Sequence, residues 1–519
     1  MKNFKKRFLG AMAVCMSLIM TVGVVTGCNK DKYDPEAIQI SISKMGYGTE
    51  WLHNIVEAYT EKTGNKVQIT EEIGQEGNSK IITQVESLVS SIDIALIEGS
   101  IAKDVYAGSV STNGQTYDCL YAELTDVYKA EISEESNATI EGKMDVKTKE
   151  FLNFSDKYYA LPWQGGVNGI VVNNQKWSEL GFTSNDIPLT TEQLFSVCDT
   201  ILSKNSTPFI YSLDDEYYTM FSPLWVAQYE GNESMELFLS GKDPDGNVTE
   251  YLYTYDGQLK ALEVMKKLIT TSGYQHSAAS SLDFSDMQSY FLTGQAVFCV
   301  NGAWLEIEMS NYKDADIGFI RTPVISSIVE KTPSIVTAAN YAGTTPDEML
   351  ANVIKEIDAG KASSSYQGIT PEDYSIVKEA REISFLKSGT NALAVVPSYT
   401  TKLDKAKDFL KFMYSDAGLN IYYQTLNGAT IPVKPTNGYT TDVTLSTFRQ
   451  TINKAETDNL VFDYSSKAKI FTAGGVNMHF RNGSGTIVSK LIAGETPEQI
   501  LSANTTAIRN NWSNIKKYL

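Results

Sequence analysis

Aromatic side chains stand beside acids or amides at several points of this chain, and these groupings are its clearest candidates for chemistry. An aromatic ring packs on an apolar face of a ligand, whereas carboxylates and amides bind the hydroxyl groups around its rim. The groupings therefore predict the binding of a polar ligand that also has apolar faces. They are Glu50 with Trp51, Trp163 with Gln164, and Asn301 with Trp304.

Groups that usually perform catalysis or hold metals are scarce. The chain has three histidines, and after the first 28 residues only Cys119, Cys198 and Cys299 remain. Neither set has the paired spacing of a zinc site or a disulfide framework. We predict no catalytic residue, no metal site and no cofactor, and we leave a disulfide between two of the three cysteines open.

Alternating strands and helices must position the candidate residues. Residues 38–42 alternate as a strand, residues 52–59 have apolar positions at helical spacing, and residues 66–70 alternate again. Such a βαβ unit predicts a parallel sheet, in which ligands lie beyond the carboxyl ends of the strands. The first turn holds Glu50 and Trp51, and Glu98 follows the apolar strand of "IDIALIEG". The competing interpretations are a core tryptophan for Trp51 and a solvated loop acid for Glu98.

The first 27 residues have the layout of a signal peptide. Four basic residues precede an uncharged, largely apolar run from Phe8 to Val25, and small residues lead to Cys28. An uncleaved membrane anchor is the alternative, because the run approaches the length that spans a bilayer. The stretch Val25-Thr26-Gly27-Cys28 resembles the lipobox of bacterial lipoproteins, which implies that Cys28 is lipidated and becomes the new N-terminus.

Charge and length restrict the partners and the architecture. Removal of the leader lowers the formal net charge from −18 to −22 and leaves 492 residues. A chain this acidic repels nucleic acid and the anionic headgroups of lipids. We therefore expect no nucleic-acid partner, and membrane contact only through the lipid. The length predicts two domains.

Five segments occur in the order found in one known family. Together they resemble the extracellular sugar-binding proteins of ABC importers, the group that includes the maltose-binding proteins. The resemblance implies a two-lobed, periplasmic-binding-protein-like α/β fold with parallel-rich sheets and chain crossings between the lobes. The segments are "KYYALPWQGGVNGIVVNNQKWSELGF" (157–182), "MQSYFLTGQAVFCVNGAWLEIEM" (287–309), "DIGFIRTPV" (316–324), "TTKLDKAKDFLKFMYSDAGLNIYYQTLNGATIPVKP" (400–435) and "GETPEQILSANTTAIRNNW" (494–512).

The resemblance also implies further ligand contacts. It places Trp163 and Gln164 at the first crossing between the lobes, and Asn301 and Trp304 at the cleft-facing end of a strand. Residues 214–231 resemble the region that supplies a stacking aromatic ring, for which Tyr217, Tyr218 and Trp225 compete and Tyr218 is preferred. Asn477 and Arg481 are weaker candidates on a late loop. The alternatives are packing of the hinge for Trp163, core packing for Trp225 and a structural role for Trp304.

The family segments set the expected boundaries. The segment "DIGFIRTPV" resembles the second crossing of the family. About sixty residues separate it from "NALAVVP", where the family has a short hairpin. Two Thr-Pro starts predict helices in this insertion. We predict a signal peptide at 1–27, a lipidated cysteine and tether at 28–37, lobe 1 at 38–160, lobe 2 at 161–320, a second part of lobe 1 at 321–430 with a helical insertion at about 328–388, and mainly lobe 2 helices at 431–519.

By this resemblance the chain is a lipid-anchored, extracellular, monomeric binding component of an ABC transporter. It would capture a carbohydrate, expected to be an oligosaccharide, by closure of its lobes and deliver it to permease subunits without chemistry. Two alternatives of other classes are a surface glycoside hydrolase, which needs two carboxylates about 5 to 10 Å apart, and a polysaccharide-binding adhesin. The sequence does not identify the sugar.

Overall fold

The computed structural model describes residues 33–212, 217–312, 314–458, 460–463, 468–476 and 487–519, and for residues 217–221 it describes the backbone alone. The predictions for Cys28, Asn477 and Arg481 fall outside these residues. Within the described ranges, no helix combines the length and the apolar character needed to cross a membrane.

Strands of the described chain form two larger sheets and three short hairpins. The strands are β1 Ile38–Lys44, β2 Val67–Ile73, β3 Ile94–Glu98, β4 Val110–Thr112, β5 Gln115–Tyr117, β6 Glu131–Ile132, β7 Ala138–Thr139, β8 Asn153–Phe154, β9 Lys157–Tyr158, β10 Ala160–Pro162, β11 Val167–Asn173, β12 Phe209–Ile210, β13 Phe298–Gly302, β14 Ile317–Ile320, β15 Phe385–Lys387, β16 Ala392–Val395 and β17 Val461–Phe462.

Helices surround the two larger sheets. They are α1 Glu50–Thr63, α2 Gly74–Glu86, α3 Ala102–Ala107, α4 Thr125–Lys129, α5 Ile140–Lys143, α6 Val146–Leu152, α7 Asn174–Glu179, α8 Thr191–Ser203, α9 Tyr217–Glu230, α10 Asn232–Leu239, α11 Asp256–Thr270, α12 Phe284–Leu292, α13 Leu305–Glu308, α14 Pro333–Ala342, α15 Pro346–Asp358, α16 Pro371–Glu382, α17 Leu403–Met413, α18 Asp416–Thr425, α19 Thr447–Thr457, α20 Lys469–Ala473, α21 Ile487–Ile492 and α22 Pro497–Ile515.

The first sheet confirms the βαβ start. Its strand order is β10-β16-β3-β1-β2, with β1 parallel to both β2 and β3. Residues of β1 are buried on both faces of the sheet, as expected of a central strand covered by helices. Helix α1 ends at Gly64, whose φ of 72° is the left-handed conformation that glycine adopts at helix ends.

The second sheet is built around β11. This strand pairs antiparallel with β13, β14 and β15, while β12 and β17 extend the sheet in parallel pairs. Alternation along β13 sends Phe298 and Val300 into one apolar cluster and Cys299 into the cluster on the opposite face. The sheet is therefore covered on both sides, and Cys299 is a buried free thiol, as are Cys119 and Cys198.

The inserted helices α14, α15 and α16 belong to the second lobe. Ile335, Val353 and Val377 are fully buried in the cluster that contains β11, rather than in the first core. Prolines at the helix starts and the capping Thr345 and Thr370 match the predicted Thr-Pro starts. This differs from the expected boundaries, which gave the insertion to lobe 1, because the apolar faces of these helices complete the second core.

The chain consequently changes lobes later than the family segments implied. Strand β14, which is formed by residues 317–320 of "DIGFIRTPV", pairs with β11 and stays in the second sheet. The second crossing lies instead at residues 388–391, between β15 in the second sheet and β16 in the first. A third crossing connects α18 to α19, since α18 packs in the first core and α19 in a cluster of the second lobe.

Candidate functional site

The crossings between the lobes pack closely against one another. A Cβ atom added to Gly165 in the first crossing would lie 2.7 Å from the carbonyl oxygen of Thr430 in the third. One added to Gly389 in the second would lie 2.9 Å from Cβ of Gln164. Gly389 also has a φ of 75°, which disfavours other residues. Side chains can therefore converge here from both lobes.

Trp304 from the second lobe reaches the first lobe. A Cβ atom on Gly46, in the turn after β1, would lie 2.9 Å from Cβ of Trp304. The indole ring is partly exposed and packs against the first core. The neighbouring Tyr47 donates a hydrogen bond of 2.9 Å to the carbonyl of Gly165. Trp304 thus contacts the lobe opposite its own, beside the first crossing.

Glu98 and Gln164 form the polar part of this surface on the first lobe. Nε2 of Gln164 donates to Oε1 of Glu98 over 3.0 Å. Burial raises the pKa of the Glu98 carboxyl, the hydrogen bond from Gln164 opposes this rise, and the negative charge of Glu308 adds to it. The sequence analysis predicted both Glu98 and Gln164, and the structure brings them together.

The second lobe supplies a matching acid and amide that the sequence analysis missed. Nε2 of Gln288 donates to Oε2 of Glu308 over 2.8 Å. Glu308 lies one helical turn after Trp304, to whose carbonyl its backbone N–H donates. An acid four residues after a candidate tryptophan, on the same helix face, is a signal that the sequence contains. Glu98, Gln164, Gln288 and Glu308 are called the Glu98–Glu308 group below.

Asn301 ends strand β13 close to Trp304 in the sequence. It is 1% exposed, and its Oδ1 accepts a hydrogen bond from the N–H of Gly302. Its Nδ2 has no hydrogen-bond partner among the described residues. Buried polar atoms are normally paired, so this amide keeps a donor available for a further group.

Arg449 and Glu456 on helix α19 form a second polar set that the sequence analysis did not single out. Arg449 is 1% exposed, and its Nη2 donates to the carbonyl of Ala303 over 3.1 Å. Burial raises the pKa of Glu456, which accepts a hydrogen bond of 3.2 Å from Oγ1 of Thr430. Helix α19 thus contacts both the third crossing, through Glu456 and Thr430, and the loop that carries Trp304, through Arg449 and Ala303.

Trp51 and Trp163 are core residues in the structure. They are 0% and 2% exposed, and their rings stack at a centroid distance of 5.8 Å. Tyr422 packs edge-on against Trp51 at 5.0 Å. Trp51 therefore occupies the core position that the sequence analysis named as its alternative, covered by Tyr422 of the distant helix α18, and Trp163 lies in the same core.

The remaining candidates lie away from this surface. Trp225 is fully buried in the second core, where its Nε1 donates to the carbonyl of Pro323 over 3.2 Å. Glu50 is exposed in the first turn of α1. Tyr218 lies on helix α9, but its side chain falls outside the described part of the structure. The ligand contact predicted for Tyr218 therefore stays a prediction.

The two lobes also touch at a second place, called the side contact. Nζ of Lys387 forms an ion pair of 3.0 Å with Asp145, across the lobes. Lys469 donates to three backbone carbonyls near the end of α6, including that of Asn153. The ring of Tyr518, near the C-terminus, stacks on that of Tyr106 in α3 at a centroid distance of 4.6 Å.

A cavity of about 250 Å³ lies in the second lobe, and no member of the Glu98–Glu308 group lines it. No group of three His, Cys, Asp or Glu side chains in the described ranges has an arrangement that would hold a metal ion. The cavity is lined by Leu292, Leu305, Glu306, Met309, Tyr312, Asp314, Ala315, Asp316, Ile317, Ser446, Thr447 and Phe448.

Comparison with known sequences identifies a family and one curated relative. Residues 54–443, more than half of the chain, match the sequence model of a family described as bacterial extracellular solute-binding protein. A multiple sugar-binding protein of Streptococcus mutans serotype c is 25% identical over 153 residues, which are 29% of this chain and 34% of that protein. The alignment thus spans about a third of the relative's length.

Comparison with solved structures shows the fold. SBP RafE in complex with raffinose has a TM-score of 0.60 at 13% identity, covering 92% of this chain and 99% of that one. A chitin oligosaccharide binding protein gives 0.62 at 16% identity, with the same coverage. The GacH receptor of Streptomyces glaucescens gives 0.58 at 13% identity, covering 92% and 98%. The predicted two-lobed α/β fold is confirmed.

Proposed function

Because the chain belongs to the bacterial extracellular solute-binding protein family, we propose that it captures a carbohydrate between its two lobes and delivers it to an ABC permease. The ligand is an oligosaccharide in this proposal. The observation that carries it is the contact of Trp304 with the opposite lobe, beside the acids and amides of the Glu98–Glu308 group. Such a surface provides a ring for apolar sugar faces and acceptors for hydroxyl groups.

Closure of the lobes is the step that couples binding to transport in this proposal. A ligand that contacts Glu98 on one lobe and Trp304 on the other stabilises the closed form relative to the open form. The matched family and the solved relatives are binding proteins rather than enzymes, so the ligand leaves unchanged.

The anchor belongs to the same proposal. Cleavage before Cys28 and acylation of its thiol would attach the protein, as a monomer, to the outer face of the cell membrane. Labelling cells with an alkyne fatty acid tests this step: the native protein is expected to carry the label and Cys28→Ala to lose it. A label that persists in Cys28→Ala would contradict the proposed lipidation.

A thermal-shift screen across mono- and oligosaccharides tests the proposed binding. Ligand at 100 times Kd adds about 2.7 kcal/mol to the free energy of unfolding, so a binder raises the melting temperature. Chromatography of the same mixtures after long incubation detects cleavage. The proposal fails if no saccharide shifts the melting temperature, and products of cleavage would favour a glycoside hydrolase that uses Glu98 and Glu308.

A further inference from the structure

Two glycines from opposite lobes contact the side chain of Trp304. Gly46 lies in the turn after β1 of the first lobe, and Gly302 ends strand β13 of the second. The three heavy atoms nearest to a Cβ atom added at Gly46 all belong to Trp304, at 2.9 Å for its Cβ, 3.0 Å for Cγ and 3.2 Å for Cδ1. A Cβ atom added at Gly302 would lie within 2.5 Å of Cε3, Cζ3 and Cη2 of the same indole. Glycine backbone therefore meets both the stem and the six-membered ring of this side chain.

Close packing, rather than backbone conformation, explains glycine at both positions. Neither Gly46 nor Gly302 has a positive φ, so the backbone of each would accept another residue. Glycine costs backbone entropy on folding, and within a strand it also leaves no side chain to pack. The remaining reason for glycine is the close approach of another group, and at both positions that group is Trp304.

Rotation of the indole could not relieve the contact that a methyl group at Gly46 would make. The Cβ atom of Trp304 is 2.9 Å from the added atom, and the backbone, not the rotamer, sets its position. The N–H groups of Ile307 and Glu308 both donate to the Trp304 carbonyl, which fixes that backbone. Gly302 lies against the ring face, because an atom in the ring plane cannot be within 2.5 Å of three consecutive ring atoms. Relief of the contact would therefore require the lobes to move apart.

We propose that Gly46 and Gly302 are positioning residues of the saccharide site: Gly302 seats the ring of Trp304, and Gly46 sets how closely the first lobe approaches it. This inference rests on the proposed function. Protein interiors are packed so closely that one added methyl group is felt, and overpacking shifts the surrounding structure. Since the atoms nearest to an added Cβ at Gly46 belong to the opposite lobe, the shift at this position is a separation of the lobes. A saccharide that contacts both lobes then loses part of its contacts.

Gly46→Ala tests the approach of the lobes. Isothermal titration with maltotriose, cellotriose and xylotriose as probes is expected to show an affinity lower than that of the native protein by about tenfold or more. Small-angle X-ray scattering is expected to give a larger radius of gyration for this variant than for the native protein, both with and without saccharide. The ligand-free variant is expected to melt close to the native protein, because the added methyl group lies between the lobes rather than inside either core.

Trp304→Gly removes the atoms that meet both glycines and is the background for a double-mutant cycle. In this background Gly46→Ala is expected to change neither the affinity nor the radius of gyration. Gly302→Ala is expected to weaken saccharide binding by about tenfold or more on its own, and to have no further effect beside Trp304→Gly. Gly318→Ala is the matched control: the nearest atom to its added Cβ is Nδ2 of Asn174 at 3.5 Å, an ordinary van der Waals distance, so affinity is expected to stay unchanged. Melting curves of the ligand-free variants establish that each is folded.

The outcomes separate this inference from the proposed function. Unchanged affinity and radius of gyration in Gly46→Ala, or a change confined to its melting temperature, would overturn the inference and leave the sugar carrier intact. An effect of Gly46→Ala that persists beside Trp304→Gly would also overturn it, because the methyl group would then act on something other than this ring. Failure of every saccharide to bind the native protein would overturn the proposed function, and scattering by the ligand-free variants would still decide whether Gly46 sets the approach of the lobes.

Discussion

The surface between the lobes has two regions that differ in the kind of polar contact they contain. In the side contact, Lys387 bridges Asp145 of the first lobe and Asp463 of the second, and Lys469 is surrounded by backbone carbonyls. In the region of the Glu98–Glu308 group, Gln288 and Asn301 keep buried atoms without hydrogen-bond partners among the described residues. Cations face the acids and carbonyls of the side contact, whereas the second region contains amides whose buried atoms lack a hydrogen-bond partner.

This difference separates two tasks. A buried cation that pairs with acids on both sides of an interface holds the two sides together without a ligand, whereas unpaired buried amide atoms cost free energy until a ligand satisfies them. We infer that the side contact stabilises the arrangement of the lobes in the absence of ligand. The Glu98–Glu308 group makes that arrangement more stable when ligand is present.

The largest effect is expected for Lys387→Met in the side contact. Removing this cation leaves Asp463 buried, with 2% of its side chain exposed, and breaking such a pair typically costs about 3 to 5 kcal/mol. Urea denaturation is expected to show a free energy of unfolding lowered by about 3 kcal/mol.

Lys454→Met is the matched control for Lys387→Met. Its ion pair with Asp458 lies on an exposed helix face, where removal costs about 0.5 kcal/mol or less. Equal effects of the two variants would show that the side contact contributes no more than a surface ion pair.

Trp304→Ala is expected to lower the free energy of unfolding less than Lys387→Met does, and to weaken saccharide binding. Its partly exposed ring contributes about 1 kcal/mol or less to the free energy of unfolding, whereas saccharide affinity is expected to fall at least tenfold. Trp163→Ala, in the first core, is the comparison and is expected to cost about 3 to 5 kcal/mol of folding. Unchanged saccharide affinity in Trp304→Ala would show that this ring does not contact the ligand.

The smallest effect is expected in the pH dependence of Glu98→Gln. Because the pKa of Glu98 is raised, the folded protein binds more protons than the unfolded chain between the ordinary pKa of 4.5 and the raised one. The contribution of this group to stability therefore falls as pH rises through that window. Melting temperatures from pH 4 to 8 are expected to show this decline in the native protein and its loss in Glu98→Gln.

Glu356 provides a control of opposite sign for that experiment. Hydrogen bonds from Lys361, Ser364 and Ser365 outweigh burial and hold its pKa at about 2. Its stabilising contribution is present above about 4.5 and is lost as pH falls toward 2. An identical pH response of Glu98→Gln and Glu356→Gln would contradict the assignment of Glu98.

Local patterns allowed much of the first lobe to be predicted. The alternation of Ile38, Ile40 and Ile42, the helix that ends at Gly64, and the apolar strand before Glu98 all depend on residues close in sequence. The Thr-Pro helix starts at Thr345 and Thr370 were predictable for the same reason, since a cap needs only the first helical turn.

The site was predicted in part. Glu98, Gln164 and Trp304 lie where the crossings converge, but Trp51 and Trp163 have the same kind of polar neighbours and lie in the core. A tryptophan next to an acid or an amide is therefore not enough to predict exposure. Burial of Trp51 depends on Tyr422, which is far away in the sequence.

The sequence by itself determined the family, the Thr-Pro helix starts and strands β1, β2 and β3 of the first lobe, because these depend on residue order within short windows. Tertiary structure alone decided which lobe the inserted helices join, where the second crossing lies, and that Gln288 binds Glu308 while Gln164 binds Glu98. Those outcomes depend on which apolar surfaces meet and which polar groups are buried with them. Such contacts join residues that are hundreds of positions apart.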